Sequence, residues 1–278
     1  MISRFKVNQI YISIKEILGE LKKKNAFTVS ASVSFFTFLS IFPFFLLIIS
    51  VSGLFIKKAQ TIAKLEEYLQ IFPQGISENF IQTLRGMIES SELVTGISFL
   101  FLIFTSFNSF NQLQKGLNTI LGTKQIKKGW KSTLTAFSFF LITAFFLMVI
   151  VLSGETLFVV ARKMEKIPIV KSYTIILPFY LFIEVIFFSF SYRYLSNKTI
   201  SLKHVLVGGM VMTCLWEITK HIFGWYVSTI NMYSAIYGSI SSLILLQLWL
   251  FYSIFLYFFG AEVSIYLSRK SSQSLSHR

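Results

Sequence analysis

The sequence predicts an all-α polytopic membrane protein: six transmembrane helices, both termini in the cytoplasm, and amphipathic interfacial helices at the N-terminus and between spans 1 and 2. Three observations predict it. Of the 278 residues, 54% are hydrophobic and only 14% are charged, which is not a soluble composition. Six apolar runs are long enough to cross a hydrocarbon core, which takes roughly 20 residues. Lys and Arg are unequally shared between alternate connections.

Residues 1–25 carry Arg4, Lys6, Lys15, Lys22, Lys23 and Lys24 without a continuous apolar core, so they do not read as a cleaved signal peptide. Instead Ile10, Ile14, Ile17, Leu18 and Leu21 recur at helical spacing, as in a helix lying in the cytoplasmic interface. The membrane domain, 26–268, follows, with spans at about 26–56, 93–112, 133–161, 172–194, 204–228 and 240–267. Pro43 removes a backbone donor from the first span and should kink it near Leu39. In the outer segment 57–92, Phe80, Leu84, Met87 and Ile88 form an apolar stripe opposite Glu78, Gln82, Arg85 and Glu89. The break at Phe72, Pro73, Gln74 and Gly75 divides that segment into two short helices. The serine-rich tail, 269–278, is expected to be disordered.

Six spans put both termini on one side, and the basic residues choose which. Of the 26 Lys and Arg, 17 fall in the termini and the two connections on that side, eight fall on the other, and Lys220 lies within a span. The positive-inside rule makes the richer side cytoplasmic. The net charge of +14 is therefore largely topological and does not call for nucleic acid. The expected partners are the bilayer and anionic lipids at the cytoplasmic face, with a second copy of the chain or an envelope protein as a further partner.

The inventory argues against hydrolytic chemistry. All twelve acids are glutamate, and the only histidines are His204, His221 and His277. No clustered carboxylates and imidazoles of the kind that hold two metal ions are available. No Gly-rich phosphate loop or nucleophile elbow occurs either, so neither a metal nor a cofactor is predicted and an enzyme is disfavoured. The single cysteine, Cys214, excludes an internal disulfide and reads as a small packing residue.

Polar groups inside the spans are then the functional candidates. Ser34, Thr37, Ser40 and Pro43 of the first span and Asn108 and Asn111 of the second fall in the cytoplasmic half, and they suggest a polar vestibule. The alternative is interhelical hydrogen bonding by small polar residues. In the fifth span Glu217, Lys220 and His221 lie within five positions, on nearly one helical face. Counting 1.5 Å of rise per residue places Glu184 of the fourth span and Gln247 of the sixth at similar depth. Glu262 falls level with Gly208 and Gly209, whose lack of side chains would allow close helix approach. Gly238 and Gly260 are further packing candidates. The Glu217–Lys220 pair reads either as a substrate or proton site or as an ion pair that orders the bundle.

The first span, ASVSFFTFLSIFPFFLLIIS, resembles the opening A-x-x-x-x-Y-x-x-x-L-S-x-x-P segment of the YihY/BrkB membrane family, formerly labelled ribonuclease BN. Trp216-Glu217, Lys220, Phe223, Tyr226, Ile236 to Ser239, Leu248-Trp249-Leu250 and Gly260 to Glu262 match more closely. The departure is Phe35 and Phe36, where the family has tyrosine. The resemblance implies an integral inner-membrane protein of six helical spans, and members are linked to serum resistance and to export of envelope lipids or solutes. It implies no settled reaction. The predicted function is thus transport or export of a lipid-linked or small organic solute, with a non-transporting scaffold or envelope-assembly factor as the alternative.

Overall fold

The computed structural model describes residues 2–52, 82, 96–123, 131, 133–145, 169–229 and 241–276. All regular structure among these residues is α-helical. The helices are α1 (Ile2–Lys23), α2 (Ala26–Ser52), α3 (Gly96–Ile120), α4 (Thr133–Phe145), α5 (Ile169–Leu195), α6 (Leu202–Thr229) and α7 (Ser241–Ser276). Within α6 and α7, Leu202–Val227 and Leu243–Gln273 are long and apolar enough to cross a membrane. Apart from Gln82, the outer segment 57–92 lies outside the described residues, as do the hairpin between the third and fourth predicted spans and Gly238.

Local chemistry explains the helix ends. Lys22 and Lys23 occupy the last turn of α1, where cations meet the negative end of the helix dipole. Asn25 then takes a left-handed φ of 52°, a conformation asparagine tolerates, and its carbonyl accepts Val29 N at 3.0 Å, so α2 begins at once. At the end of α3, Gly122 adopts φ 65° while Thr123 N reaches back to Asn118 O at 3.1 Å, a glycine-closed helix terminus. The carbonyl of Ser201 accepts the first amides of α6, from His204 and Val205.

Two boundaries differ from the sequence expectation. The helix that contains the second apolar run continues to Ile120, because Leu117 and Ile120 are fully buried while Lys115 and Thr119 face outward. Hydropathy alone stops at the first polar residues and misses this amphipathic extension. The tail is not disordered from 269 onward, since α7 runs to Ser276. There Arg269 reaches Glu20 of α1 at 3.5 Å and Ser272 Oγ donates to Ser268 O at 3.0 Å, so the last turns have partners.

Helix α2 packs on α3 and α7, and α6 packs on α5 and α7, while α1 crosses the start of α2 and the end of α7. The buried face joins Leu117, Phe139, Tyr192, Val205, Met212 and Phe258 into one cluster, and Trp249, Leu246 and Phe223 into a second. The surface is inverted relative to a soluble protein. Phe104 and Trp225 are 66% and 67% exposed, whereas Ser30, Ser106 and Glu262 are 0% exposed. Buried hydroxyls and a buried carboxylate beneath large exposed apolar side chains suit hydrocarbon as the solvent.

Candidate functional site

Helix α6 builds the main polar constellation. Glu217 and Lys220 are three residues apart on one face, and Lys220 Nζ lies 2.5 Å from Glu217 Oε1. Glu184 projects from α5 to within 3.8 Å of the same ammonium. One cation is thereby bracketed by two carboxylates from two helices. The three side chains are only 12–24% exposed, so the group is largely removed from the surface. Below it, Trp216 and Phe223 each meet Trp249 of α7, with ring centroids 5.1 and 5.0 Å apart, and Phe188 closes the α5 side.

Two residues expected beside this group lie elsewhere. His221 follows Lys220 by about 100° of helical rotation and is exposed. It belongs to the outward stripe of Ile218, Ile222 and Trp225, away from Lys220. Gln247 instead reaches α2, where its Nε2 donates to Ser34 Oγ at 3.1 Å. Cys214 is also exposed on α6 and is not a core packing residue.

A second ionic group lies at the other end of α6. The Glu262 side chain is fully buried in α7 and receives Lys24 from the α1–α2 turn, while Arg269 stands 4.0 Å from its second oxygen. Nearby, the hydrogen bond from Lys23 holds the Glu20 carboxyl below the ordinary carboxylate range. Glycines set the level of this group. A Cβ on Gly208 would collide with Ser264 Oγ and the Gly260 carbonyl of α7. One on Gly209 would collide with Ser189 Oγ and stand 2.9 Å from the Val185 carbonyl of α5. The adjacent pair therefore serves two interfaces, and Gly260 completes the crossing, its own Cβ position being 2.5 Å from Tyr192 OH. Lys220 is twelve residues beyond Gly208, so roughly 18 Å of helix separates the two ionic groups.

The hydroxyls suggested as a vestibule knit α2 to α3. Ser40 Oγ donates to Thr105 O at 2.7 Å, and Ser109 Oγ donates to Thr37 Oγ1 at 3.1 Å. Ser34 Oγ donates to Ala31 O within α2. Asn108, Asn111 and Pro43 are half-buried beside them.

Sequence reasoning missed Asn118. Its buried amide donates to Gln114 O at 2.8 Å and to Leu195 O at 3.0 Å, and its oxygen accepts the Asn197 amide at 2.7 Å. It ties the end of α3 to the α5–α6 connection. The available signal was an asparagine one position after a core leucine, Leu117. Asn118→Leu strands the Asn197 amide and should lower stability by about 1–3 kcal/mol in detergent melting; an unchanged midpoint would contradict this anchoring role.

The family model described as virulence factor BrkB matches residues 17–278. A protein of Bacillus subtilis named as ribonuclease-like, YfkH, is 24% identical over 268 residues, covering 92% of this chain and 95% of its own. A UPF0761 membrane protein of Chromobacterium violaceum is 22% identical over 230 residues, 80% of this chain and 54% of its own. Another, from Alkalilimnicola ehrlichii, is 39% identical over 79 residues, 28% of this chain and 18% of its own. The chain thus spans about half the length of the Chromobacterium relative and less of the Alkalilimnicola one. No solved structure matches it. A model match over nearly the whole chain, together with the apolar exterior and buried ionic groups, makes this protein a member of the virulence factor BrkB family of membrane proteins.

Proposed function

We propose that the protein is a transporter or exporter in the bacterial plasma membrane, moving a lipid-linked or small organic solute through a polar intramembrane site. In this reading six helices span the bilayer with both termini cytoplasmic. The observation that carries it is Lys220, held between Glu217 and Glu184 within the membrane-length apolar stretch of α6. A charge buried in the bilayer costs roughly 2.5–3.5 kcal/mol on insertion scales, so three in one place need a reason beyond packing. Two carboxylates around one ammonium form a group whose charge changes when a proton or a cationic part of a solute arrives. With no nucleotide-binding motif, the energy comes from an ion gradient or a partner.

The test is an untargeted comparison of lipids and metabolites in cells carrying the wild-type protein, Lys220→Met, or none. With insertion of each variant checked by fluorescence-detected size exclusion, the inserted Lys220→Met protein is expected to leave the profile of the empty cells. A Lys220→Met profile identical to wild type would remove the triad from the mechanism. The scaffold reading gains from Ser40–Thr105 and Thr37–Ser109, which use up hydroxyls that would otherwise line a path. A stably bound second copy or envelope protein, with no difference in any lipid or metabolite, would favour it. Ribonuclease chemistry has no support in an acid inventory composed wholly of glutamate.

A further inference from the structure

The end of the bundle where α1, α2, α3, α7 and the α5–α6 connection meet is rich in positive charge. Lys23, Lys24, Lys198 and Arg269 lie there against two carboxylates, Glu20 and Glu262. Lys24 is committed to the buried Glu262. Arg269 is not committed in the same way: it is 43% exposed, with its guanidinium 3.5 Å from Glu20 and 4.0 Å from Glu262. Both contacts are made through Nη1, so among the described residues the Nε and Nη2 donors of its fork remain for a ligand.

The turn that closes α3 passes beside Arg269 at Gly122, whose Cβ position would lie in van der Waals contact with Nη2, at 3.9 Å. On the other side stands the α5–α6 connection, whose shape is set by Asn118 and by the Arg193 bond to Ile200 O. It presents Lys198, which partial burial and the positive charges of Arg269 and Lys24 hold below the ordinary lysine range. An anion at this spot would relieve that repulsion. The same connection carries Asn197, whose side-chain Nδ2 is buried and lacks an acceptor among the described residues. A buried donor without an acceptor is unfavourable by about 1–3 kcal/mol.

We infer that Arg269, Lys198 and Asn197 form a binding site for a phosphate-class anion, supplied as the headgroup of an anionic phospholipid. A tetrahedral oxyanion offers several acceptors at once, matching a guanidinium fork, an ammonium and an amide. The lipid source follows from α1, which borders the site. Its Ile17 and Leu21 are buried against the bundle, while Tyr11, Ile14 and Leu18 remain 64%, 44% and 47% exposed beside Lys15. That exposed stripe suits the headgroup–acyl boundary, where a phosphate meets the Arg269 level and its chains meet apolar side chains. The site is distinct from the Glu184–Glu217–Lys220 group and stands whether or not that group transports.

The test uses the full-length protein, delipidated in detergent, and native mass spectrometry with phosphatidylglycerol, phosphatidylcholine and inorganic phosphate as probes. Phosphatidylglycerol should bind in preference to phosphatidylcholine, and Lys198→Gln and Arg269→Gln should each weaken it about fivefold. Lys270→Gln, one position along the same exposed helix end, should bind as wild type. Lys198 makes no ion pair among the described residues, so its variant keeps the test valid if Arg269→Gln fails to fold. Equal affinity for the two lipids, or undiminished phosphatidylglycerol binding by Lys198→Gln, would overturn the site. Saturable binding of inorganic phosphate that Lys198→Gln weakens, with neither lipid retained, would overturn the lipid source.

Discussion

Gly208→Ala is expected to lower stability by about 1–3 kcal/mol, a large effect for one methyl group. The new Cβ would meet the Gly260 carbonyl as well as Ser264 Oγ. A side-chain hydroxyl can rotate aside, but a backbone carbonyl moves only if α6 and α7 separate. Separation would also loosen Glu262, which lies two residues beyond Gly260 on α7. Gly224→Ala is the matched control on the same helix, for nothing stands within 4 Å of its Cβ position. It should be neutral or gain roughly 0.5–1 kcal/mol from the lost flexibility of glycine in a helix. The pair is read by thermal melting in detergent with fluorescence-detected size exclusion. Equal midpoints for the two variants would mean that α6 and α7 do not cross at Gly208.

Lys24→Met should be costlier, at about 3–5 kcal/mol, because it strands a carboxylate that is wholly buried. Only Arg269, 4.0 Å away, would remain to compensate it. Adding Glu262→Gln removes the stranded charge, so the double variant should recover most of the loss. The measurement is a double-mutant cycle on the same melting assay. Additive losses would show that Lys24 and Glu262 are not coupled. The pairing matters for the fold because Lys24 lies in the tight turn between α1 and α2. Through Glu262 that turn is held to α7, and with it the docking of α1.

Much of this arrangement was legible in the order of residues. Apolar runs located the helices because a bilayer-spanning helix must be apolar over a fixed length. The i, i+3 spacing of Glu217 and Lys220 foretold their contact, and a count of helical rise brought Glu184 to the same depth. Tight packing at Gly208, Gly209 and Gly260 follows from the rule that small residues mark close helix crossings in membranes. Depth is a single coordinate, however, and neighbours also depend on the order of helices around the bundle. Gln247 therefore had the right level and the wrong partner, meeting Ser34 of α2 and not Lys220. His221 shows the same limit on one helix, since a residue's step of rotation turns it outward with Ile218 and Ile222.

The sequence by itself determined the helical class, the apolar exterior and the identity of the buried charges in α5, α6 and α7, because these depend on composition and on periodicity along one chain. Only the tertiary structure decided which charges meet. Lys24 and Glu262 are 238 positions apart and pair because α1 turns at Asn25 and α7 returns beside it. Asn118 became an anchor because the α5–α6 connection folds over the end of α3. Contacts between distant segments arise from helix packing in three dimensions, and no spacing along the chain encodes them.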